Sequence, residues 1–101
     1  MAGRLDVVAG RVLSVSTPGH TRGHTSVIAV DDDGRHVLLA GDATDTLALL
    51  HARRPDAITP DPDMQVQTID RILTHATDHP TIYLPTHDPD AVARLDTGTT
   101  L

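Results

Sequence analysis

Apolar and polar residues alternate through Val12-Leu13-Ser14-Val15-Ser16, the two-residue period of a half-buried strand. Thr17-Pro18-Gly19-His20 ends that run, because proline lacks the N–H of a ladder and glycine favours a turn, so His20 is expected just past a strand end. Ser26 to Val30 reads as a second strand and His36-Val37-Leu38-Leu39-Ala40 as a third, with Asp31-Asp32-Asp33-Gly34 supplying a hairpin turn between them. The third strand delivers Gly41-Asp42 at its end. Thr44 to about Arg53 has helical composition, and Arg53-Arg54-Pro55 breaks it.

Asp61 followed by Pro62 forms an N-cap and first-turn pair, after which Val66, Ile69, Leu73 and Ala76 recur at helical spacing until Pro80 forbids continuation. Thr81 to Pro85 follows as a short buried strand. Thr86-His87-Asp88-Pro89 then turns the chain into a last short helix, Asp90 to about Leu95, and the tail from Asp96 to Leu101 is expected to fray. His87 thus follows a strand, as His20 and Asp42 do. The pattern predicts an α/β (α+β) fold, and no repeat, linker or low-complexity tract divides the chain.

Length and composition narrow the picture. The 101 residues fit one domain or part of one, and 39% hydrophobic residues without a long apolar run exclude a membrane span. Met1-Ala2-Gly3-Arg4-Leu5-Asp6 lacks the apolar stretch of a secretory signal, so a cytoplasmic location is expected. Fourteen Asp against eight Arg give a net charge of −6, the wrong sign for a phosphate backbone, so nucleic acid is not an expected partner. Cysteine is absent, which removes both disulfides and thiolate metal ligands. With Tyr83 the one aromatic, the core must be aliphatic.

His20, Asp42 and His87 would share one sheet edge if their strands run alike, the place where open α/β sheets put their sites. Imidazole and carboxylate are the ligands Zn²⁺ takes when thiolate is absent, so the three residues are a candidate metal set. Each has an alternative: a turn histidine bonded to nearby backbone for His20, a cap of the Ala43-Thr44 helix for Asp42, and an exposed imidazole for His87. His24 is expected to support the site rather than ligate, since Gly23 argues against a helical His pair with His20. His75 and His79 share a polar helix face and could chelate a metal at i, i+4, but are expected to be only solvated; His36 and His51 have no evident partner, Arg22 is expected to be a solvated loop arginine rather than a substrate contact, and Asp31 to Asp33 is read as a turn rather than a Ca²⁺ loop.

The strings around these residues are Ser16-Thr17-Pro18-Gly19-His20-Thr21-Arg22-Gly23-His24-Thr25-Ser26, Leu39-Ala40-Gly41-Asp42-Ala43 and Leu84-Pro85-Thr86-His87-Asp88-Pro89. From about Val12 to Leu95 the chain resembles the second half of the metallo-β-lactamase superfamily, and the Asp61 helix with the closing Leu-Pro-Thr-His-Asp-Pro resembles its N-acyl homoserine lactonase branch. The resemblance implies residues 1–101 as a single partial domain, the C-terminal half of an αββα sandwich reduced to one sheet with helices on one face. It implies His20, Asp42 and His87 as metal ligands, with the Asp42 carboxylate bridging two Zn²⁺ ions and so also the catalytic residue. The implied activity is hydrolysis of a lactone or related ester such as N-acyl homoserine lactone, that is, quorum quenching.

One departure matters. The family's His-x-His-x-Asp-His motif, which supplies most ligands of the first metal, has no counterpart, and Thr74-His75-Ala76-Thr77-Asp78-His79 lacks two of the needed histidines. One Zn²⁺ or none is therefore expected here. The bare sheet face is expected to be covered by a second copy, as a homodimer, or by a complementary N-terminal half. The alternative expectation is a non-catalytic remnant, a metal-binding or partner-binding module without hydrolase activity.

Overall fold

A computed structural model describes residues 11–101; Met1–Asp6, read above as lacking a secretory signal, lie outside them. Four strands, β1 (Val12–Ser16), β2 (Thr25–Val30), β3 (His36–Gly41) and β4 (Thr81–Pro85), form one sheet in the order β1-β2-β3-β4. The first two pairings are antiparallel and β3 pairs with β4 in parallel. A parallel neighbour needs a crossover, and α1 (Leu47–Ala52) and α2 (Pro62–Asp78) supply it between β3 and β4. α3 (Ala91–Thr97) follows β4.

Register lines up Leu13, Ile28, Leu38 and Tyr83 in one row across all four strands. Ile28, Leu38 and Tyr83 join Ala40, Ala43, Leu50 of α1 and Ile69 and Ile72 of α2 in the buried core, an aliphatic cluster around the single tyrosine. Strand alternation places Val27, Val37, Leu39 and Leu84 on the other face of the sheet, where Leu39 is 47% exposed. No helix among the described residues is long and apolar enough to cross a membrane.

α2 starts as expected: the Asp61 carboxylate accepts the Met64 N–H at 3.0 Å and Pro62 opens the first turn. Its buried side, however, is Gln65, Thr68, Ile69 and Ile72, not the expected stripe of Val66, Ile69, Leu73 and Ala76. At 100° per residue that is a rotation of roughly 70°. The cause is polar docking. Thr68 donates its hydroxyl to the Pro18 carbonyl at 2.6 Å, and Gln65 accepts the Asp56 N–H at 3.0 Å while donating to the Ala43 carbonyl at 2.9 Å. Gly19 makes this approach possible: a Cβ on it would stand 2.6 Å from Gln65 Cβ, and its φ of +148° is one that side chains disfavour.

Two smaller expectations are corrected. The first helix begins at Leu47 under a Thr46 N-cap rather than at Thr44. Thr44 is instead buried, its hydroxyl donating to the Thr46 carbonyl at 2.9 Å and so accepting from Tyr83 Oη at 2.8 Å. Burial is the main cause that pushes the Tyr83 phenol up to about 12, so it stays a neutral donor. The tail does not fray: α3 runs to Thr97, Gly98 closes it in the left-handed conformation, and Leu101 donates its N–H to the Thr81 carbonyl at 2.8 Å and packs against the core.

Candidate metal centre

β1, β3 and β4 run in the same direction, so the loops after them emerge together at one edge of the sheet. His20, Asp42 and His87 meet there. His20 Nε2 lies 3.7 Å from Asp42 Oδ2, and His87 Nε2 lies 3.1 Å from Asp42 Oδ1. The Asp42 side chain is 34% exposed between the 43% of His20 and 63% of His87. Its Oδ1 is buried and has no hydrogen-bond partner among the described residues; the His87 contact lacks hydrogen-bond direction. A buried carboxylate oxygen without a donor is costly unless a cation or proton is meant to meet it. Among the described residues no group of three or more His, Cys, Asp or Glu is placed so that it could hold a metal ion as it stands.

His24 holds the carboxylate in place from behind. The Asp42 N–H donates to His24 Nε2 at 3.0 Å, so that nitrogen carries no proton and the proton sits on Nδ1. Nδ1–H faces Thr17 Oγ1 at 2.8 Å, Thr17 Oγ1 faces Ser26 Oγ at 2.7 Å, and Ser26 donates to the Ala40 carbonyl at 3.2 Å. Because a carbonyl only accepts, each proton in the chain is forced: His24 donates to Thr17, Thr17 to Ser26, Ser26 to Ala40. The relay thus runs from β1 through β2 to β3 and ends two residues before Asp42. Gly41, at φ +56°, passes close under the imidazole, where a Cβ would meet His24 Nε2 at 3.0 Å. His24→Leu leaves the Asp42 N–H unpartnered and removes the donor to Thr17 Oγ1, and the expected loss is about 2 kcal/mol. Urea unfolding should show a lower midpoint at unchanged slope.

The loop carrying His87 is tied down by Asp88. Its Oδ2 accepts the Leu47 N–H at 2.9 Å and Arg94 Nη2 at 3.1 Å, and its Oδ1 accepts the Asp90 N–H at 2.9 Å. Arg94 also donates from Nε and Nη2 to the Tyr83 carbonyl, at 3.1 and 2.9 Å. Burial acts to raise the Asp88 carboxyl, but the Leu47 and Asp90 N–H groups and the Arg94 guanidinium together outweigh it and hold it below the ordinary carboxylate range.

The structure brings His20, Asp42 and His87 together at one sheet edge, as expected, and sets His24 behind Asp42. Asp42 does not cap α1, since Thr46 does. Arg22 and His51 are exposed, and Asp31 forms the expected turn by accepting the Asp33 and Arg35 N–H groups. Asp88 and Gln65 were missed as supports of the site, and Gln65 carried no signal because it sits among polar neighbours on a helix. His36 was read as lacking a partner and His75 and His79 as solvated; the structure instead packs all three together, with His36 Nδ1 3.0 Å from His75 Nε2.

No protein-family model and no curated protein matches the chain. Solved structures do. An N-acyl homoserine lactone hydrolase, with the product N-hexanoyl-L-homoserine bound at its catalytic metal center, is 26% identical with a TM-score of 0.77 over 92% of this chain and 36% of its own. A quorum-quenching N-acyl homoserine lactone lactonase is 27% identical with a TM-score of 0.75 over 89% of this chain and 37% of its own. A hydrolase of the β-lactamase superfamily shares the fold at 19% identity, with a TM-score of 0.65 over 80% of this chain and 28% of its own. The chain therefore spans little more than a third of the lactonases it matches.

Proposed function

We propose that this chain, a partial metallo-β-lactamase fold most like that of the N-acyl homoserine lactonases, holds a Zn²⁺ ion through His20, Asp42 and His87 and forms part of a lactone or ester hydrolase. The observation that carries this is the convergence of two imidazole Nε2 atoms on a carboxylate whose Oδ1 is buried and unpartnered. Two neutral imidazoles and one carboxylate are a donor set that suits Zn²⁺. When bound, the ion would supply Lewis acidity and lower the pKa of water.

The chain's own residues do the positioning. His24 fixes the backbone at Asp42, which points the carboxylate between the two histidines. Asp88 and Arg94 fix the loop that brings His87 to the same carboxylate. Asp42 is the residue proposed as catalytic, because its carboxylate would hold the ion whose Lewis acidity serves hydrolysis of a small lactone or ester. Three donors leave a four-coordinate shell incomplete, and the half-exposed apolar face around Leu39 leaves room for a covering partner. A complementary N-terminal half, or a second copy of the chain as a homodimer, would supply both.

Elemental analysis of purified protein tests this reading. About one Zn²⁺ per chain is expected to depend on His20 and His87, with sharp loss of that ion in His20→Ala and in His87→Ala. Lactone opening, followed by base uptake, is then assayed with and without a complementary half. Metal binding without hydrolysis in either assay would favour a metal-binding or partner-binding module; metal-free protein indifferent to both substitutions would overturn the proposal.

A further inference from the structure

The second histidine cluster lies at the opposite edge of the sheet from Asp42. His36 opens β3 while Asp42 follows its end, a separation of about 20 Å at roughly 3.3 Å per residue. His75 is in the last turn of α2 and His79 is its C-cap, four residues on, so both imidazoles leave the same side of the helix. The three ring centroids are 4.3 to 4.9 Å apart. Their backbones are bound together: the His79 N–H donates to the His75 carbonyl at 3.0 Å and the His36 N–H to the Pro80 carbonyl at 2.8 Å.

Stacked imidazoles from a strand and a helix do little for stability as such, but they present nitrogen donors at close range. His36 Nδ1 and His75 Nε2 are 3.0 Å apart, within a few tenths of an ångström of the roughly 3.3 Å that separates two nitrogens on a tetrahedral Zn²⁺ with Zn–N near 2.0–2.1 Å. A His pair at i, i+4 on one helix face is itself a recurrent ligand pair. We propose that His36, His75 and His79 form a second metal site, for a divalent transition ion such as Zn²⁺, separate from the Asp42 centre.

As the rings stand, no group of three among the described residues is placed to hold a metal ion, and the His79 ring stacks on His36 at an interplanar angle of 19°. His79 is exposed, and turning its ring brings a nitrogen to the ion while water takes the fourth position. Binding moves one proton within the pair: the N–H that now bridges His36 Nδ1 and His75 Nε2 shifts to the outer nitrogen of its own ring, so both inner nitrogens offer lone pairs. Burial first, and repulsion from the neighbouring imidazoles second, hold His36 and His75 below the ordinary histidine range, so both are neutral and ligand-competent at pH 7. Asp31 and Asp78 favour positive charge at His36 and His75 respectively.

The test is a Zn²⁺ titration of the tag-free chain, followed by calorimetry and by the histidine ring signals in ¹⁵N NMR. In a His20→Ala/His87→Ala background one ion should still bind, moving the His36, His75 and His79 rings. His75→Gln or His79→Gln should weaken it by at least about tenfold. Should the double variant not fold, the ring signals of the unsubstituted chain decide the matter. Rings of His36, His75 and His79 that stay unmoved at millimolar Zn²⁺ in folded protein, or affinity unchanged by both single substitutions, would overturn the second site and leave the Asp42 proposal untouched.

Discussion

Asp42→Asn is expected to abolish most of the Zn²⁺-dependent gain in thermal stability at the strand-end site while leaving the metal-free chain at least as stable as before. The substitution keeps the side-chain shape and removes the carboxylate that His20 and His87 face. No hydrogen bond to Asp42 Oδ1 is lost with the charge, because that oxygen has no hydrogen-bond partner among the described residues. The metal loses its one anionic donor, and affinity should fall at least about a hundredfold. With Zn²⁺ at roughly 100 times its dissociation constant, the unsubstituted site gains about 2.7 kcal/mol, on the order of 10 °C in a chain of this size. At the same concentration the variant gains about 0.4 kcal/mol. Scanning calorimetry in a His75→Ala background, where the second histidine cluster cannot contribute, reads the difference. Equal stabilisation of both proteins would remove Asp42 from the ligand set. A carboxylate placed at the cost of stability is the mark of a functional site rather than of packing.

The largest loss of stability is expected from Asp88→Ala. Its side chain is 6% exposed and that of Arg94 is 11%, so truncation strands a nearly buried guanidinium and frees the Leu47 and Asp90 N–H groups together. Breaking such a pair from one side costs about 3 kcal/mol. The same variant should lose order at His87, seen as sharpening and a shift of its ring signal. The pH response follows from the direction in which the Asp88 carboxyl is held. The folded protein keeps it ionised below the ordinary value of 3.8, where the unfolded chain already takes up a proton. Its contribution is therefore present above about pH 4 and is lost as pH falls through the lower folded value. Urea midpoints should fall between pH 5 and 3 in the unsubstituted chain, and the part due to this carboxylate should be missing in Asp88→Asn. An identical acid response in the two proteins would show that Asp88 is not so held.

Local rules were enough for much of this molecule. Alternation over Val12–Ser16, the apolar run of His36–Ala40, the Asp-Gly turn before β3, the Asp61-Pro62 start of α2 and the stop at Pro80 each depend on residues a few positions apart, so their physics is written in neighbouring letters. The word around His20, with its proline and glycine after a strand, likewise marked His20 as a proposed ligand and His24 as its neighbour. What neighbouring letters could not contain is distance between remote segments. The direction of β4 relative to β3 decided that His87 would face Asp42; the polar docking of Gln65 and Thr68 against the Pro18–Gly19 turn rotated α2 away from its apolar stripe; and the bond from Leu101 to Thr81 held a tail that its composition would let fray. His36, His75 and His79 lie up to 43 positions apart and carry no shared pattern, so only the parallel crossover, which sets the end of α2 beside the start of β3, turned three unremarkable histidines into a cluster.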